Sequence, residues 1–218
     1  MSFSRSLKEK SKVIWEKSYR HPFVQCLGEG TLEKERFQFY LLQDYLYLLE
    51  YAKVFALGAV KSPTEELMCY FTEAQYGILH REMDLHRQYM KEFSITEENL
   101  LANRATTFNQ AYTSNMLAIG LTNDLSELIA TVFPCAWSYY DFACRLKEEY
   151  GDNLLDNPYC SWIDMYSSSE FYQSFEWFFG ELDKLCENKS EEQLKQIENI
   201  FYRSMEFEYL FWEMSYQK

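Results

Sequence analysis

The chain has 218 residues, 47% of them hydrophobic, with only seven glycines and four prolines; this is enough for one domain with a substantial core, and too little turn punctuation for anything but long helices. A net charge of −13 argues against a nucleic-acid footprint and against anionic membrane surfaces. The opening "MSFSRSLKEKSKVIWEKS" lacks the apolar stretch of a leader peptide, and no run is long and charge-free enough to span a bilayer, so a soluble, cytoplasmic protein is expected.

In chain order, the apolar spacing predicts a first helix over roughly Ser4–Ser18. His21-Pro22 starts a short helical turn that Gly28 and Gly30 end. Thr31 is placed to cap a second helix running through "LEKERFQFYLLQDYLYLLEYAKVFALGAV", whose apolar residues spread around most of the circumference and so put it near the centre of the fold. "SPTEEL" reads as a start signal, with Ser62 as cap, Pro63 in the first turn and Glu65 closing a capping box; that helix runs to about Phe93. "SITEEN" suggests a turn with a cap at Thr96. A helix from about Thr106 to Ile119 stops at Gly120, and Asn123 or Asp124 opens a proline-containing helix that fades near "EYGDN". A short segment follows in "NPYCSWIDMY", "SSSE" caps a helix through Cys186, and Ser190 with Gln193 opens the last helix. Nothing alternates with period two, so the fold class is all-α, a single-domain helical bundle over residues 1–218.

In such a bundle the informative residues are polar groups on inward faces. Tyr40, Asp44, Tyr47 and Tyr51 share one side of the second helix, and a buried carboxylate there needs a partner or becomes neutral. Glu208 shares a side with Phe211 and Trp212, where desolvation can raise a carboxyl pKa into the range of a proton donor; Asp44 and Glu208 read equally well as solvated or locally bonded carboxylates. Cys135 follows Pro134 inside "LIATVFPCAWSYYDFACRL", and Tyr139 lies one turn further on the same face. Proline removes a backbone hydrogen bond at a cost of about 3 kcal/mol, frees a carbonyl near Ala130 and commonly bends a helix, which would open room beside the thiol. The alternative is a kinked helix with a packing cysteine. The six cysteines show no CxxC spacing and read as reduced thiols. His80 and Asp84 share a face, as a surface pair or with a satisfied core histidine, whereas His86 points elsewhere. Neither a di-iron Glu-x-x-His pair nor zinc spacing is present, so no metal or other cofactor is expected.

"HPFVQ" (21–25), "GTL" (30–32), "QDYLYL" (43–48), "YAK" (51–53), "AYTSNM" (111–116), "PCAWSYY" (134–140), "WIDMY" (162–166) and "EYLFWEMSY" (208–216) together resemble the TenA/thiaminase II family over essentially the whole chain. The resemblance implies a helical fold of the haem-oxygenase-like type, without haem or metal, and a homotetramer in thiamine metabolism. It implies hydrolysis of an aminopyrimidine left by thiamine breakdown, and of thiamine itself, to the hydroxymethylpyrimidine used in salvage. Carried over by position, Cys135 would be the nucleophile and Glu208 the proton donor and acceptor. Asp44 would hold the pyrimidine amino group, Tyr47 would line the ring site, and Tyr112 and Tyr139 would sit near the thiol. Tyr166 would hydrogen-bond a ring nitrogen, and Phe211 would stack near the ring. A protein that binds the pyrimidine without chemistry, or a regulator of thiamine metabolism, is the alternative; ammonia release separates the two.

Overall fold

A computed structural model describes residues 2–96, 98 and 103–218, and within that set every regular element is a helix. The first expected helix is two, α1 (Phe3–Lys10) and α2 (Lys12–Tyr19), separated at Ser11. Serine is a weak helix former, and this break carries neither the glycine nor the proline that would announce it. In α3 (Pro22–Glu29) the His21 ring accepts the Phe23 amide, Pro22 occupies the first turn, and Gly30 ends the helix at φ 73°, a backbone region open to glycine at no cost.

The central helix α4 (Lys34–Lys61) begins after Glu33 and is not capped by Thr31, whose hydroxyl donates to Glu29 instead. Similarly, the cap of α5 (Glu65–Gly77) is Thr64 and not Ser62. Thr64 accepts the Leu67 amide at 3.2 Å, while Ser62 donates back to the Gly58 carbonyl at 2.8 Å and closes α4. Gly58 lets α4 and α5 approach closely, since a Cβ there would lie 2.3 Å from the buried Phe71 ring.

The run expected to reach Phe93 does extend to Glu92, but not as one regular helix. A π-helical turn, Ile78–Glu82, joins α5 to α6 (Met83–Glu92). The turn expected in "SITEEN" falls partly outside the described residues. Thr106 caps α7 (Thr107–Thr122), which runs on past Gly120. A full capping box of Asp124 and Glu127 opens α8 (Leu125–Tyr150), which continues unbroken through Pro134. After a 3-10 turn (Gly151–Asp156) come α9 (Cys160–Tyr166), α10 (Ser169–Phe175) and α11 (Trp177–Cys186). The helix expected from "SSSE" to Cys186 is thus interrupted at Glu176. Ser190 and Gln193 form the expected capping box of α12 (Glu191–Tyr216).

Helix α8 packs against α4, α7, α9, α11 and α12, so both its faces are covered, and sixteen of its residues, from Leu125 to Leu146, are buried. Burying each large apolar side chain in this core contributes roughly 1.5–3 kcal/mol relative to exposure. Among the described residues, no helix is long and apolar enough to cross a membrane.

Candidate active site

Three of the eight residues singled out in the sequence, Cys135, Tyr139 and Tyr166, line a cavity of about 390 Å³ between α5, α8, α9 and α10. Small residues make the room: Ala74 and Gly77 on α5 and Ala136 on α8 stand at its wall. The other five, Asp44, Tyr47, Tyr112, Glu208 and Phe211, do not line it. They form a buried layer behind Cys135, each no more than 2% exposed. Within that layer Tyr47 packs on Tyr112 with ring centroids 5.2 Å apart and on Phe211 at 5.6 Å.

Asp44 has a buried partner that the sequence reading left out. His86, fully buried on α6, donates from Nε2 to Asp44 Oδ2 at 2.7 Å and from Nδ1 to the Glu82 carbonyl at 2.8 Å. Both ring nitrogens face oxygen acceptors, so making both bonds requires the doubly protonated imidazolium. Burial works against that charge, but the Asp44 hydrogen bond and charge outweigh it and raise the His86 pKa. Tyr40 donates to the same Asp44 oxygen at 3.1 Å and accepts the Trp162 indole N–H at 3.1 Å. Both Asp44 bonds therefore converge on Oδ2, and neither uses Oδ1. The expected surface pairing of His80 with Asp84 does not form: His80 bonds the Tyr76 carbonyl and stacks on its ring, and Asp84 pairs with Arg87.

Two further carboxyls stand near the thiol, Glu208 buried and Glu82 half-buried. Glu208 accepts the Tyr112 hydroxyl at 2.5 Å; burial pushes its pKa up to about 8 against that bond, and the Asp44 charge adds to the rise. Glu82, in the π-helical turn, faces the cavity and accepts the Tyr166 hydroxyl at 3.3 Å. Burial, reinforced by the Asp44 charge, raises its pKa to about 7. Sequence reasoning missed Glu82 and misjudged the region of His86, because the π turn shifts the helical register between them and the start of α5. The one available signal was the four-residue spacing of Glu82 and His86.

Burial and the Glu208 charge push the Cys135 thiol well above its ordinary value, with Glu82 and Asp44 adding to the rise and only Tyr47 opposing it. The thiol thus carries its proton at rest, and any attack by sulfur needs a base to remove it. Aromatic rings complete the wall: Tyr139 lies 4.9 Å from Tyr166 and 5.0 Å from Trp212. A thiol, two carboxyls tuned near neutrality and flat aromatic surfaces suit covalent and acid–base chemistry on a planar heterocycle. Among the described residues, no cluster of three His, Cys, Asp or Glu side chains is arranged to hold a metal ion.

The model of the TENA/THI-4/PQQC family matches residues 8–218. The chain belongs to that family. Bacterial relatives carry the name aminopyrimidine aminohydrolase; the one from Helicobacter pylori is 43% identical over 218 residues, covering 100% of both chains. A solved structure from Silicibacter, described as a TenA family transcription regulator, superposes with a TM-score of 0.91 at 29% identity over 98% of this chain and 96% of that one. A haem oxygenase from the cyanobacterium Synechocystis covers 98% of this chain and 92% of its own at a TM-score of 0.64 and 13% identity, which identifies the fold alone as haem-oxygenase-like. This TENA/THI-4/PQQC chain therefore has the all-α class and family that its sequence motifs imply.

Proposed function

We propose that this protein is an aminopyrimidine aminohydrolase of thiamine salvage, a hydrolase of carbon–nitrogen bonds that uses Cys135 as nucleophile. The observation that carries this reading is a buried cysteine at a cavity wall, backed by acids tuned near neutrality, in a chain 43% identical to a relative of that name. The substrate is the aminomethyl aminopyrimidine formed when thiamine breaks down, with thiamine a second substrate.

The ring seat extends inward from the cavity, past Cys135, to the buried layer. Asp44 Oδ1, unused by His86 and Tyr40, takes the ring amino group, and the His86 and Tyr40 bonds to Oδ2 hold the carboxyl group in place from behind. Tyr166 bonds a ring nitrogen, Tyr47 lines the ring site, Phe211 stacks near the ring, and Tyr112 and Tyr139 flank the thiol and Glu208. The Cys135 thiol gives its proton to a base as the sulfur bonds a ring carbon, which moves an electron pair into the ring; electron density returned from the ring then expels the amine from the exocyclic methylene. Glu208, neutral below about pH 8, gives the leaving amine its proton. Water then adds to the methylene carbon and returns a proton to Glu208 as the sulfur leaves, so amine and water exchange with no net change at the cysteine. A cytoplasmic homotetramer belongs to the same reading; the exposed Val13, Val60, Leu121 and Leu155 offer apolar surface for assembly. A stable monomer in micromolar light scattering would count against it. The net charge of −13 speaks against a DNA-contacting regulator.

The test is ammonia release from the aminomethyl pyrimidine. Cys135→Ser should lose nearly all turnover while still binding the pyrimidine. Tight binding by the wild type with no ammonia released would favour a sequestering protein. Substantial turnover by Cys135→Ser with none by Glu208→Gln would replace the covalent route with carboxylate-driven displacement by water.

A further inference from the structure

Glu82 is a half-buried carboxyl that faces the cavity and has no part in the scheme above. Its position is set by an irregular piece of backbone. The π turn Ile78–Glu82 packs one more residue into a turn than an α-helix does, and such turns are frequent at functional sites. It aims the Glu82 side chain at the cavity while the Glu82 carbonyl holds the His86 ring on Asp44. Glu82 Oε2 accepts from the Tyr166 hydroxyl, the group that meets a ring nitrogen in the proposed function.

We propose that Glu82 and Tyr166 form a proton relay between the Cys135 sulfur and the pyrimidine ring nitrogen. This assignment rests on the proposed function and adds a second acid–base group to it. Covalent addition of a thiol across a ring C=N bond has two proton needs, one at sulfur and one at nitrogen, and they cancel. As the C–S bond forms from a sulfur lone pair, the S–H proton passes to the Glu82 carboxylate. The ring π pair moves onto nitrogen, which takes the Tyr166 hydroxyl proton while Tyr166 takes the one held by Glu82. When the C–S bond breaks, the same protons return to sulfur in reverse. Glu208 is left free to serve the methylene carbon, first for the amine and then for water.

The relay begins with a protonated thiol and an ionised Glu82. The titratable and charged groups that act on Glu82 or share its cavity are Asp44 and Tyr51 from α4, Arg81 beside it, Asp84 and His86 from α6, Cys135 and Tyr139 from α8, Tyr166 from α9 and Glu170 from α10. Among these the Asp44 charge raises the Glu82 pKa, and His86, Tyr166 and Arg81 lower it; burial dominates and sets it near 7. With Glu82 required as carboxylate and Glu208 as acid, kcat/KM rises with pH through about 7 and falls through about 8.

The experiment compares the pH profiles of wild type, Glu82→Gln, Glu82→Asp and Tyr166→Phe on the aminomethyl pyrimidine, with thermal unfolding as a check of folding. Glu82→Gln is expected to cut kcat by about 10²-fold or more with KM little changed, and to remove the lower limb of the profile. Glu82→Asp should restore part of the rate and the limb. Adding Tyr166→Phe to Glu82→Gln should cost little more than either alone, because both sever one relay. A folded Glu82→Gln protein with wild-type kcat and an intact lower limb overturns the assignment and leaves the proposed function standing. A wild type that releases no ammonia overturns both.

Discussion

The two sides of α8 are both packed into the fold, for opposite ends. Phe133 and Trp137 project into a bed of rings: they stack on each other at 5.0 Å, and Phe178 and Phe179 lie within 5.1 Å of Phe133. Two residues further along the helix, about 200° around it, Cys135 and Tyr139 meet hydroxyls and carboxyls. The first side is held mainly by apolar contacts, which are non-directional and grow with the area removed from water, with the Lys8 ammonium over the Trp137 ring at its edge. On the second, burial raises the energy of every ionised group and moves the acids toward neutral pH. One helix thus carries the cost of a buried polar layer on one side and the stabilisation that offsets it on the other.

The largest expected effect breaks the apolar side. Phe133→Ala should lower stability by about 3–5 kcal/mol, because its ring contacts leave little chance of collapse into the void. Chemical denaturation checks it, and a cost below 1 kcal/mol would show that the ring bed is loosely packed.

On the polar side the sign reverses. Glu208 ionises near 4.5 in an unfolded chain and near 8 in the fold. Its contribution to stability is therefore fully present below pH 4.5 and is lost as pH rises through 8. Glu208→Gln should gain stability over wild type as pH rises from 5 to 8, by about 2–4 kcal/mol, while losing about 10²–10⁴-fold in turnover. Melting temperatures of the two proteins across that range read it directly; parallel curves would show that Glu208 reaches water.

Away from α8 the effects shrink. Gly58→Ala should cost about 1–3 kcal/mol by overpacking against Phe71, measurable as a lower denaturation midpoint. Asp124→Ala, which removes the capping box of α8, should cost about 1 kcal/mol without changing turnover. A larger loss would mean that the Asp124–Lys189 ion pair, 2.6 Å long, ties α8 to the start of α12 more firmly than a surface pair should.

The same contrast explains what could be read from the sequence. Ser190 with Gln193 was legible because a capping box is written within four residues, whereas the start of α8 was left between Asn123 and Asp124 and the expected Ser62–Glu65 box gives way to a cap at Thr64. Asp44, Cys135 and Glu208 were legible as polar interruptions of apolar helices, and all three are buried. The breaks at Ser11 and Glu176 were not, since tertiary packing imposes them without glycine or proline. His86 and Glu82 were missed for another reason. "HREMDLH" looks like a solvated face under a 3.6-residue period, and only the π turn carries these two side chains inward.

That turn also constrains how the gene can vary. An α-helix advances about 100° per residue, so a single-codon deletion that regularised residues 78–82 would swing everything downstream in α6 by that angle. His86 would leave Asp44, and the Glu82 carboxyl would leave the cavity, with every amino acid of the site still present. Substitutions on the surface of α6 are cheap by comparison. Between otherwise alignable chains, a one-residue gap at this point would therefore mark a rewired candidate site more reliably than a change of residue nearby.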